Sequence, residues 1–88
     1  MTREEYLLTC ALEEAVEVAQ RISKALRFGL LEVQPCQSLS NRMRIRQELI
    51  NLIAVLEMVD PNIVVVNPDE LDAKKVKVEH YLMKALGG

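Results

Sequence analysis

The residue types with the most chemistry in this chain are acids in two short clusters: Glu13, Glu14 and Glu17, then Glu48 followed by Asn51. Side chains three or four positions apart share one face of a helix. On helical backbone, Glu14 therefore points with Glu17, and Glu48 with Asn51. Two such helices side by side present up to four oxygen donors to one point. Hard oxygen ligands, few carboxylates and open positions for water and phosphate suit magnesium, with manganese as a substitute. The same spacing also fits a solvated helix face, on which Arg21 and Lys24 pair with the acids. Glu48 is placed differently. At about 100° per residue it falls within roughly 60° of Ile45, Leu52 and Val55, at the border of an apolar stripe. An acid there needs a partner, because an unpaired charge near a core is costly. An arginine or lysine satisfies that need, and so does a metal ion; residue types leave both open.

Other reactive groups are sparse. One histidine, His80, and two distant cysteines, Cys10 and Cys36, do not make a zinc site. Two cysteines are also too few for a disulfide scaffold and read as reduced thiols of a cytoplasmic protein. No glycine-rich phosphate loop occurs, so P-loop chemistry is excluded. Arg42, Arg44 and Arg46 form a short basic cluster, but the chain carries a formal charge of −2, and a nucleic-acid partner is not expected.

Three helices must position these groups. The first is predicted over about 2–28. Thr2 and Glu5 match a capping box, Gly29 sits where a C-terminal glycine belongs, and Leu8, Ala11, Leu12, Ala15, Val18, Ala19, Ile22, Ala25 and Leu26 form an apolar stripe. Leu30 to Asn41 reads as a long loop containing Pro35, with Ser38, Ser40 or Asn41 available to cap the next helix. The second helix is predicted over about 42–59, with Ile45, Leu49, Leu52, Ile53, Leu56 and Val59 on one face. Asp60-Pro61-Asn62 ends it. Ile63-Val64-Val65-Val66 has strand composition but no partner run, so an extended connector packed on the core is expected. Asn67-Pro68-Asp69-Glu70 opens a third helix over about 68–86, with Asn67 at the cap, Glu70 reaching back, and Leu71, Val78, Leu82 and Ala85 on the apolar side.

Eighty-eight residues, half of them apolar, fit a single all-α domain over 1–88. Charges interrupt every apolar run before about 18 residues, so no membrane span is expected, and no secretion signal is read at the start. Only three residues are aromatic, and a domain this small buries only about 60–65% of its unfolded surface. The helical bundle is therefore expected to be completed by oligomerisation.

With these elements in order, the chain resembles the MazG-like all-α nucleoside triphosphate pyrophosphohydrolases, especially the short single-domain forms of phages and bacteria. The family signature, E-E-x-x-E on one helix and E-x-x-D on the next, reads here Glu13-Glu14-Ala15-Val16-Glu17 and Glu48-Leu49-Ile50-Asn51. The segments Ile22 to Gly29, Gln47 to Val55 and Ala73 to Leu82 look similar too, so the resemblance runs from about Glu5 to Leu82. It implies a homodimer or homotetramer. It also implies cleavage of a nucleoside triphosphate between the α and β phosphates, giving monophosphate and pyrophosphate. Carried over, the metal ligands fall on Glu14, Glu17, Glu48 and Asn51. Asn51 departs from the family aspartate; its carbonyl oxygen still suits magnesium but brings no charge, so weaker metal binding is expected.

The chemistry asks for further groups. Water attacking a triphosphate needs a carboxylate to orient it, a role that fits Glu13, and cations to hold the phosphates. Lys24, on the face of Glu17, and Lys74 and Lys77 of the third helix are the candidates, with Tyr81 flanking them. An alternative is a helical oligomer of the same fold that has lost activity and serves as a nucleotide-binding or regulatory module. Base specificity has no motif.

Overall fold

The computed structural model describes residues 1–87. Helix α1 spans Arg3–Phe28, α2 spans Asn41–Val59 and α3 spans Pro68–Ala85, with a 3-10 helix over Pro61–Val64 between the last two. The predicted all-α architecture is observed.

Local chemistry sets the helix ends. The Thr2 hydroxyl accepts from the Glu5 amide while the Glu5 carboxylate accepts from the Thr2 amide, both at 3.1 Å, so two of the otherwise unsatisfied first-turn donors are paired. At the other end Gly29 takes φ +101°, a region that only glycine enters without strain, and its amide donates to the Ala25 carbonyl at 2.8 Å. Ser40 caps α2 through the Met43 amide. Asn67 caps α3 through the Asp69 amide at 2.8 Å, with Pro68 at the first helical position. Helix α2 starts one residue earlier than predicted because Ser40 takes the cap and releases Asn41 into the first turn.

The α1–α2 connection is a tied loop. Val33 and Ser40 form one antiparallel bridge. The Asn41 amide donates to the Glu32 carbonyl and the Arg42 amide to the Leu30 carbonyl, each at 2.8 Å. The Asn41 side chain, 2% exposed, donates through Nδ2 to the Gly29 carbonyl at 2.8 Å. It joins the end of α1 to the start of α2. Asn41→Ala leaves that carbonyl only the long 3.4 Å bond from the Glu32 amide, and a loss of about 1 kcal/mol is expected. Thermal unfolding of the variant beside wild type checks this; an unchanged midpoint would remove Asn41 from the account.

The two helices run antiparallel and pack on one another, and the 3-10 helix packs on α2. At the open end the Arg3 guanidinium reaches the Met58 carbonyl at 3.5 Å. The run Ile63–Val66 differs from expectation. Asp60 ends α2 and its carboxylate also accepts from the Asn62 amide, so Pro61, Asn62, Ile63 and Val64 wind into one tight turn. Only Val65 and Val66 continue as extended, exposed connector.

The apolar stripe predicted for α1 is divided. Leu7, Cys10, Ala11, Val18 and Ala25 face α2, and Leu7 and Ala11 are buried. Leu8, Leu12, Ala15, Ala19, Ile22 and Leu26 are exposed, Leu12 to 67% and Leu26 to 84%. On α2, Ile45, Leu52, Leu56 and Val59 turn inward, while Leu49 and Ile53 remain exposed at the edge. Helix α3 packs on neither α1 nor α2, and every residue of it is exposed. The radius of gyration is accordingly 16.1 Å, against about 12 Å for a compact chain of this length.

Candidate functional site

The face of α1 that meets α2 is not purely apolar. Between Ala11 and Ala25 it carries Glu14, Glu17, Arg21 and Lys24, all half-buried. The facing side of α2 carries Arg44 and Glu48, also half-buried, between Asn41 and Leu52. The Arg3–Met58 and Asn41–Gly29 ties fix the antiparallel register at both ends. Counted residue for residue, Glu48 falls level with Ile22 from the Asn41–Gly29 tie and with Glu13 from the Arg3–Met58 tie, so its level on α1 lies between those two residues. The middle of the α1–α2 seam is thus a band of acids and bases, where apolar side chains would otherwise close the pair.

Glu14, Glu17 and Glu48 therefore lie on facing stripes. Glu48 sits inside its stripe, not only at the border that the helical wheel gives it. Asn51 is exposed, one turn on, and its Nδ2 donates to Glu48 Oε2 at 3.4 Å, a long hydrogen bond that keeps the two side chains of the pair adjacent. Glu13 is exposed at the flank of the α1 stripe. Among the described residues no group of three or more His, Cys, Asp or Glu side chains is drawn together tightly enough to hold an ion, and no enclosed pocket is found. The donor set of the seam is nonetheless all oxygen, with carboxylates from both helices, the chemistry that magnesium or manganese accepts.

Of the cationic candidates, Lys24 lies on the seam. Lys74, Lys77 and Tyr81 share one flank of α3, but α3 does not pack on the hairpin, so the chain does not itself bring them to the carboxylates. Spacing assigned Arg21 only to surface pairing. It is half-buried, and its Nε is shielded from solvent with no hydrogen-bond partner. A buried guanidinium nitrogen without an acceptor is costly, and an anion beside Glu17 and Glu48 would meet it. The signal was its position four residues beyond Glu17 on the same face.

No protein-family model, curated protein or solved structure matches this chain.

Proposed function

We propose that the protein is a metal-dependent nucleoside triphosphate pyrophosphohydrolase acting as a homodimer or homotetramer. The observation that carries this reading is the half-burial of Glu14, Glu17 and Glu48 on facing sides of one helix–helix seam. Solvated acids stay at the surface. Acids held in a seam need compensation, and a divalent cation supplies it for several at once.

In this reading Glu14, Glu17, Glu48 and the Asn51 carbonyl oxygen hold magnesium. When bound, the ion neutralises charge on the triphosphate oxygens. Glu13, exposed beside the seam, orients the attacking water and accepts its proton. Arg21 and Lys24 engage phosphate oxygens; Lys74, Lys77 and Tyr81, on an α3 that leaves its own hairpin, are not among the groups at the seam. One water is consumed as the phosphoanhydride between the α and β phosphates breaks, releasing monophosphate and pyrophosphate.

One observation favours a second reading. Asn51 already donates to Glu48, so part of the acid's charge is met without a cation. A nucleotide-binding or regulatory module without turnover would keep that arrangement.

The test is a panel of nucleoside triphosphates with pyrophosphate detection, run with magnesium, with manganese and with chelator, alongside thermal melting. At a hundredfold excess over its dissociation constant, an ion binding only the native state adds about 2.7 kcal/mol, which raises the melting temperature of a domain this size by about 10–20 °C. Metal-dependent pyrophosphate release is expected. A melting shift without release from any triphosphate transfers the assignment to the binding module, and neither response removes the metal site.

A further inference from the structure

Two apolar surfaces of this chain have no partner within it. One is the outer stripe of α1, formed by Leu8, Leu12, Ala15, Ala19, Ile22 and Leu26. The other is the stripe of α3, where Leu71, Val78 and Leu82 are exposed to 48%, 50% and 43%. The accessible surface of the chain is 7058 Å², whereas a folded monomer of this mass exposes about 5,200 Å². The excess of about 1,800 Å² falls within the roughly 1,000–2,500 Å² that each partner buries in an obligate dimer.

We propose that α3 crosses to the hairpin of a second copy, laying its apolar stripe along the outer stripe of that copy's α1 while the partner's α3 does the same in return.

Two observations select this occupant. Pairing two hairpins face to face would cover α1 but leave Leu71, Val78 and Leu82 in water; exchange covers both stripes. The connector also carries α3 away from its own hairpin. The 3-10 helix is held on α2 and Val65-Val66 are extended, so α3 leaves the end of the hairpin and touches neither helix.

The exchange stands apart from any catalytic role.

The test uses the intact wild-type chain. Isotope-labelled and unlabelled protein are mixed, unfolded, refolded together and treated with a carbodiimide, which joins neighbouring carboxylates to amines. Exchange predicts links between the glutamates of α1 and the lysines of α3, about half of them joining labelled to unlabelled peptide. Links within one isotope only place α3 on its own hairpin and overturn the proposal, as does the absence of links between α1 and α3. Light scattering gives a second reading. Wild type is expected at twice its mass of 10.0 kDa or a multiple of that, and V78D with L82D is expected at monomer mass. A wild-type monomer, or a variant that keeps its dimer, overturns the exchange. None of these readouts involves turnover, so an inactive protein still decides them.

Discussion

Glu48→Gln is expected to lower metal-dependent pyrophosphate release by at least a hundredfold, and Glu17→Gln to do nearly the same. The reasoning starts from charge. Glutamine keeps the shape of glutamate and one oxygen donor but removes the negative charge that draws a magnesium ion out of water. Even residues that only support metal ligands cost about 10–100-fold when replaced, so loss of a ligand costs more. Glu48 and Glu17 are both half-buried on the faces of α2 and α1 that meet. Removing the charge should also make the seam easier to fold, because less charge is desolvated. Lower turnover with an unchanged or higher melting temperature is therefore the signature. Asn51→Asp supplies the opposite sign. It exchanges a hydrogen bond to Glu48 for a like charge one turn away, costing about 0.2–0.5 kcal/mol without metal, and turnover with metal should rise or stay level. If Glu48→Gln turns over as wild type does, the ligand assignment is wrong.

The second large effect concerns the outer stripe of α1. Leu12→Asp with Ile22→Asp is expected to convert the proposed oligomer to monomer and to weaken association at least a thousandfold. Each of these side chains contributes about 1.5–3 kcal/mol when removed from water. Two sites in each of two copies exceed the roughly 4 kcal/mol that a thousandfold change requires. Both positions point away from α2 and are exposed within the chain, at 67% and 45%, so the hairpin itself loses no packing. Sedimentation or light scattering across a concentration series reads the outcome. A wild-type melting temperature that rises with concentration, and a variant whose melting temperature does not, complete it. Unchanged mass in the variant places the interface elsewhere.

The helix ends were legible because each depends on a few neighbouring residues: Thr2 with Glu5, Gly29 after Phe28, Pro68 behind Asn67. The 3-10 helix was not. Asp60 acts at two element ends at once, and four apolar residues in a row hide the turn that it starts. The apolar stripe of α1 was legible as a stripe, but periodicity does not say whether a chain covers such a stripe itself. Here Ala11, Val18 and Ala25 on its inner edge meet α2, and Leu8, Leu12 and Leu26 turn away. In the candidate site, spacing puts Glu14 and Glu17 on one face of α1, where both are half-buried, as Glu48 is on α2. Arg21 reads from spacing only as a surface partner of the acids, because its burial comes from the packing of α1 on α2, a long-range fact. The separation of Lys74, Lys77 and Tyr81 from the acids has the same origin, since it depends on where the connector sends α3.

The amide of Asn41 has a kinetic counterpart. By tying the Gly29 carbonyl to the first turn of α2, it shortens the effective loop that must close before the two rods meet. Contacts so near in sequence form in microseconds to milliseconds. The hairpin should therefore assemble at a rate independent of protein concentration, ahead of a slower second-order phase in which chains find one another. Slowing of the first phase alone by Asn41→Ala would mark this residue as part of the folding nucleus.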